Sequence, residues 1–136
     1  MRYMLDTNIL VYVLNARRLH QAVLDRFDSQ EPEDLVVSSI TLAELRFGIE
    51  KSGQRAANRK ALQHTLAALN VVPFDTNAAE AYGTVRASLE AQGKPIGPLD
   101  TLIAAHALSL GLTLVTNNVR EFARVRRLRV ENWVMS

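Results

Sequence analysis

The stretch that decides the fold is Asp100-Thr101-Leu102-Ile103-Ala104-Ala105-His106-Ala107-Leu108-Ser109-Leu110-Gly111-Leu112-Thr113-Leu114-Val115-Thr116-Asn117-Asn118. Its first half, read as a helix over Thr101 to Leu110, is apolar almost all round, which predicts a helix running through the core rather than over the surface. Gly111 stands where a helix closes on a left-handed residue. Leu112 to Val115 then reads as a short apolar strand, and the chain turns polar at Thr116. A buried helix that feeds a buried strand is the unit of a parallel sheet, because each return to such a sheet needs a crossover of helix length.

The alternation continues outward from this stretch. Tyr3 to Leu5, Leu35 to Val37 and Val71 to Phe74 read as strands, with Val130 to Val134 as a further edge. Leu42 to Lys51, Arg55 to Leu69 and Ala78 to Gln92 read as helices. The expected fold class is α/β, a three-layer sandwich with a mostly parallel central sheet of four to five strands. Ile9 to Leu14 is an unbroken apolar run that periodicity assigns to neither helix nor strand; Asn8 as an N-cap favours helix. Leu62, Leu66 and Leu69 fall on one face of a segment whose other face carries Arg59, Lys60 and Gln63, the pattern of an amphipathic surface helix.

The 136 residues suit one domain spanning 1–136, and a hydrophobic share of 48% with 22% charged residues describes a globular chain. There is no repeat, linker or low-complexity tract; Gly93 to Pro98 is a loop without a phosphate-cradling glycine pattern. Cysteine is absent, which excludes disulfides, thiolate zinc sites and thiol nucleophiles, so a metal site must use oxygen or histidine. Asp6 interrupts the start before a long apolar region develops, so neither a signal peptide nor a membrane anchor is expected, and the cytoplasm is the expected compartment. The formal charge is only +2, but Arg120, Arg124, Arg126, Arg127 and Arg129 crowd one segment against Glu121 and Glu131. Such a run either meets phosphate or is solvated surface.

Ligands of open α/β sheets lie beyond the carboxyl ends of the strands, so polar residues there are the first candidates. Asp6 follows the first strand, Glu44 the second and Asn118 the fourth, while Asp100 opens the buried helix. Capping chemistry also accounts for each of them. Thr41-Leu42-Ala43-Glu44 and Asn118-Val119-Arg120-Glu121 match capping boxes, and Asp6 and Asp100 near helix starts suit the macrodipole. If the three carboxylates converge instead, they need protons or a cation, since like charges 4 Å apart repel by about 4 kcal/mol at an effective dielectric near 20. Oxygen ligands favour Mg²⁺ or Mn²⁺, whose natural substrate chemistry is hydrolysis of a phosphodiester by activated water. His20, His64 and His106 form no ligand pair; His106 lies six residues past Asp100, off its helical face, and reads as a packed core residue. No serine stands in a nucleophile elbow.

The flanking residues go further. Met4-Leu5-Asp6-Thr7-Asn8-Ile9 and Ser38-Ser39-Ile40-Thr41-Leu42-Ala43-Glu44-Leu45 resemble the first two acidic motifs of PIN domains. Gly93-Lys94-Pro95-Ile96-Gly97-Pro98-Leu99-Asp100, Ile103-Ala104-Ala105-His106-Ala107 and Val115-Thr116-Asn117-Asn118-Val119-Arg120-Glu121-Phe122 resemble the VapC toxins of bacterial toxin–antitoxin pairs. The resemblance covers nearly the whole chain and implies a PIN-like fold with Asp6, Glu44 and Asp100 as metal-binding acids. Asn118 stands where many PIN domains carry a fourth aspartate, which implies one tightly held Mg²⁺ or Mn²⁺ ion and a weak or absent second. Thr7 is then expected to support the site by hydrogen bonding, and Glu121 to orient a water from behind the ligands. The resemblance further implies endonucleolytic cleavage of structured RNA, transfer RNA above all, a VapB-like antitoxin that silences the enzyme, and a homodimer. By the same analogy the helix from Arg55 to Leu69 would hold the antitoxin, and Arg120, Arg124, Arg126 and Arg127 would meet the RNA backbone.

Two alternatives belong to other classes. An aspartyl-phosphate phosphotransfer domain would use Asp6 as nucleophile, but Asn8 replaces the second aspartate of one such pattern, and Thr116-Asn117-Asn118 stands where another wants lysine. A non-catalytic protein- or RNA-binding module would use the acids only as caps.

Overall fold

Tyr3, Met4 and Leu5 form the central strand of a five-stranded sheet in the computed structural model, which describes residues 1–15 and 21–134. His20 lies outside the described residues. The strands are β1 (Tyr3–Leu5), β2 (Leu35–Ser38), β3 (Asn70–Val72), β4 (Thr113–Val115) and β5 (Val130–Glu131), in the order β3-β2-β1-β4-β5. All four pairings are parallel, and Met4 lies between Val36 and Leu114. The helices among the described residues are α1 (Thr7–Asn15), α2 (Gln21–Asp28), α3 (Ser39–Lys51), α4 (Arg55–Leu66), α5 (Thr76–Ala91), α6 (Pro98–Ser109) and α7 (Val119–Phe122).

Alternation along the strands builds two cores, one on each face of the sheet. Tyr3, Leu5, Leu35, Val37 and Val115 pack with Ile9 and Leu10 of α1, Val23 and Phe27 of α2, Leu45 and Ile49 of α3 and Leu62 of α4. Met4, Val36 and Leu114 pack with Val85 and Leu89 of α5, Ile103, Ala104, Ala105 and Ala107 of α6 and Phe122 of α7. Each fully buried leucine or isoleucine contributes about 1.5–3 kcal/mol, so burial on both faces of the sheet holds the expected three-layer arrangement together. α6 is buried along Ile103 to Ala107, as its unbroken apolar surface predicts. Gly111 closes it at φ +67°, with Leu112 N–H donating to Ala107 O at 3.0 Å and Gly111 N–H to Leu108 O at 3.1 Å. No helix among the described residues is long and apolar enough to cross a membrane.

Several boundaries differ from the sequence reading. Ile9 to Leu14 is helical, but the helix begins at Thr7, and Asn8 lies inside it rather than capping it. α3 begins at Ser39, three residues before Leu42, because the Ser38 hydroxyl accepts the Ile40 N–H at 3.1 Å and is the true N-cap. α5 begins at Thr76, capped by Asp75 on the Ala78 N–H at 3.0 Å. α6 begins at Pro98, whose missing N–H is no loss in a first turn, so Asp100 is its third residue. β3 spans Asn70 to Val72, not Val71 to Phe74, since Pro73 has no N–H for the ladder. β4 begins at Thr113 because the Leu112 N–H is spent on the α6 terminus. β5 stops at Glu131, and Trp133 beyond it packs edge-on against Tyr3. α4 ends at Leu66, short of Leu69, which is nonetheless buried. Its apolar face goes into the protein's own core through Leu62.

Candidate active site

Parallel strands place their carboxyl ends on one edge, and the polar residues that follow β1, β2 and β4 gather there. Asp6 continues the β1 ladder for one residue, its N–H donating to Val115 O at 2.9 Å, while its carbonyl accepts the Ile9 and Leu10 N–H groups that start α1. The backbone is thereby fixed from both sides. Its side chain is only 3% exposed. Oδ1 accepts the Thr7 N–H at 2.8 Å and Oδ2 accepts the Thr116 hydroxyl at 2.8 Å. Burial pushes its pKa above the ordinary carboxylate range, the two hydrogen bonds oppose that, and the charge of Glu44 adds to it.

Glu44 lies in the second turn of α3, and its Oε1 accepts the Thr7 hydroxyl at 2.8 Å. The Thr7 oxygen also lies 3.3 Å from that of buried Thr41. The capping box suggested by Thr41 and Glu44 therefore does not form: both side chains turn to α1 instead. Asp100 is half-buried and makes no cap bond to its own helix. Its pKa is raised to about 6, first by burial, then by the charges of Asp6, Glu121 and Glu44, and last by a hydrogen bond with Glu121 that protonated Asp100 can donate. Asn118 caps nothing through its side chain either; its Nδ2 donates to Glu121 Oε2 at 2.7 Å and its N–H to Thr116 Oγ1 at 3.0 Å.

The structure thus brings Asp6, Thr7, Glu44, Asp100, Asn118 and Glu121 to one edge, from chain segments far apart. Thr116 joins them, a residue to which the sequence analysis gave no role. Its position just past β4, on the same edge that singled out Asn118, is the signal that finds it. Among the described residues, none of the four carboxylates is in an ion pair; apart from the bond between Asp100 and Glu121, their hydrogen-bond partners are the neutral donors of Thr7, Thr116 and Asn118. A cation is what such a surplus of negative charge accommodates. Among the described residues no group of three or more histidines, aspartates or glutamates stands close enough to hold a metal ion as placed. By chemistry alone, oxygen donors without thiolates are the kind a hard divalent ion takes, and Asp6, Glu44 and Asp100 bring such oxygens to this edge.

The remaining candidates lie elsewhere. His106 is a core residue: its Nδ1 is 2.8 Å from Ser38 Oγ, its ring meets Phe74 edge-on, and burial pushes its pKa down. His64 is exposed on α4. Arg120, Arg126 and Arg127 are exposed, whereas half-buried Arg124 donates to the Pro95 carbonyl at 3.1 Å. Arg129 donates to the Gly111 carbonyl at the end of α6, a structural use that the sequence did not suggest.

A family model for the PIN domain matches residues 3–128. The chain is 47% identical to Ribonuclease VapC2 of Haemophilus influenzae over 98% of its own length and 99% of the relative's. It is 41% identical to the tRNA(fMet)-specific endonuclease VapC of Shigella flexneri, with 98% of each chain covered. Among solved structures, DNA-bound VapBC from Salmonella typhimurium superposes with a TM-score of 0.91 at 39% identity, covering 98% of each chain. VapBC2 from Rickettsia felis, bound to a DNA fragment from its promoter, superposes with a TM-score of 0.86 at 39% identity, covering 98% of this chain and 99% of the other.

Proposed function

Because the chain belongs to the PIN-domain family, among the VapC ribonucleases, we propose that it is a toxin that cuts structured RNA, transfer RNA above all, by divalent-metal-dependent hydrolysis. One observation carries the reading: four carboxylates from distant segments share one sheet edge with no basic partner among the described residues. Asp6, Glu44 and Asp100 would hold Mg²⁺ or Mn²⁺, which, when bound, lowers the pKa of water and offsets charge building on the phosphoryl oxygens. Thr7 and Thr116 fix the orientation of Glu44 and Asp6. Glu121, held by the Asn118 amide, stands behind Asp100 as an acceptor for a water proton. With an amide at Asn118, where many PIN domains carry an aspartate, a single tightly held ion suffices.

Arg120, Arg124, Arg126 and Arg127 supply phosphate contacts beside this edge. A groove of about 270 Å³ between α1, α3 and α4, lined by Val11, Leu14, Leu45 and Ile49, opens at Thr7 and Glu44. It offers a VapB-like antitoxin an apolar seat ending at the acids, with α4 as one wall through Asn58 and Ala61. The protein acts as a homodimer and is silenced in that complex. The test is Asp6→Asn: the folded variant is expected to lose RNA cleavage and calorimetric Mn²⁺ binding together. Cleavage at the parent's rate would remove Asp6 from the metal site.

A further inference from the structure

Two hollows on the α5 side of the sheet share one wall. The first, of about 530 Å³, lies between Gly93-Lys94-Pro95 and the residues Arg120 and Arg124. The second, of about 340 Å³, lies between α5 and the Arg124 to Arg127 segment, with Val85, Leu89 and Leu108 contributing its apolar lining. Arg124 belongs to both, fixed by its bond to the Pro95 carbonyl. The two hollows therefore meet at Arg124.

The path through them is cationic and uncompensated. Among the described residues, Lys94, Arg120, Arg124, Arg126 and Arg127 enter no ion pair, and no acidic side chain lines either hollow. Arg26, Arg55, Arg59 and Arg86 are matched by Glu131, Glu50 and Glu90, while Arg2, Arg46, Lys51, Lys60 and Arg129 stand outside these pairs without lining either hollow. Arg127 even holds a left-handed backbone, φ 69°, where glycine or asparagine would sit with less strain. Along the chain the two walls of the first hollow adjoin the acids: the Gly93 to Gly97 loop runs into α6 and its third residue Asp100, and Arg120 immediately precedes Glu121. Four carboxylates repel a polyanion, so a substrate strand needs fixed cations beside them to be held at all.

We propose that this path is a phosphate track that leads an RNA strand from the carboxylates past Lys94 and Arg124 to Arg126 and Arg127. The inference rests on the ribonuclease reading above, and adds to it Lys94 and the direction in which the strand leaves. Cations at the rim meet backbone phosphates, while the apolar lining of the second hollow accepts ribose or base faces; nothing in this arrangement selects a sequence.

The test is binding of a labelled tRNA anticodon stem-loop in EDTA across a salt series, using the full chain. Lys94→Gln with Arg126→Gln is compared with Arg2→Gln with Lys51→Gln, which removes the same charge from exposed sites away from both hollows. Arg124 is left intact because its bond to Pro95 is structural. The track variant is expected to bind about tenfold more weakly at 0.15 M salt, with a log–log salt slope shallower by roughly 1–2, while the control stays within about twofold of the parent. Parent-like binding by the track variant, or equal weakening by the control, overturns the track. Both variants are checked for a parent-like thermal midpoint. A parent that binds this RNA and cuts none with Mg²⁺ or Mn²⁺ refutes the nuclease reading and not the track; a parent that cuts, with a track variant binding as it does, refutes the track alone.

Discussion

The Thr116 hydroxyl donates to Asp6 Oδ2 at 2.8 Å, joining two buried side chains 110 positions apart in the sequence. The same oxygen accepts the Asn118 N–H at 3.0 Å, so one small side chain ties the acid after β1 to the turn after β4. It is also the larger of the two hydrogen-bond effects that hold the Asp6 pKa down against burial.

Thr116→Val keeps the shape and removes the donor. Leaving Asp6 Oδ2 without it is expected to cost about 1–3 kcal/mol of stability. The Asp6 pKa moves further up, so an ion must displace a proton more often. Mn²⁺ titration calorimetry at pH 6, 7 and 8 is expected to show weaker binding, with the deficit largest at pH 6. Thr116→Ser should restore it. Binding equal to the parent at every pH would show the bond to be idle.

Thr7 separates backbone from side-chain support. Its N–H holds Asp6 and its hydroxyl holds Glu44. Thr7→Val keeps the first and loses the second, so the thermal midpoint should stay near the parent's while kcat/KM for RNA cleavage falls about 10- to 100-fold. Thr7→Ser should recover most of the loss. If the valine variant cuts like the parent, Glu44 needs no positioning.

Asp100 makes the ion-free protein sensitive to pH. Its folded pKa, about 6, lies above the ordinary 3.8, so its contribution to stability is whole below 3.8 and is lost as pH rises through about 6. Asp6, also raised, adds to the same slope. In EDTA the thermal midpoint should fall from pH 4 to pH 6.5, and Asp100→Asn should flatten this fall and exceed the parent at pH 7. A divalent ion at a hundred times its Kd restores about 2.7 kcal/mol to the parent at pH 7 and nothing to the variant. A parent whose midpoint in EDTA rises over that range would contradict the sign.

Much of this was legible in the sequence because periodicity and strand-end position are local signals. The central strand at Tyr3 to Leu5, the buried helix before Gly111 and the four polar candidates all follow from them. The start of α3 did not, because Thr41-Leu42-Ala43-Glu44 has the spacing of a capping box and only contact with Thr7, 37 positions from Glu44, shows that both side chains are used across helices. Helix α2 is hidden in the sequence, since it buries only Val23 and Phe27, too few for a period to declare itself. Thr116 is hidden for a related reason: a hydroxyl beside two asparagines looks like turn chemistry until Asp6 stands opposite it.

The middle of the sheet belongs to β1, yet one of the two neighbours of β1 is β4, residues 113–115. A nascent chain that has not yet delivered those residues has at most β3, β2 and β1, leaves Asp6 without Val115 and Thr116, and lacks Asn118 and Glu121. Closing so long a loop is a late event in folding. The edge that gathers Asp6, Asp100, Asn118 and Glu121 is thus complete only once the last quarter of the chain has joined the sheet.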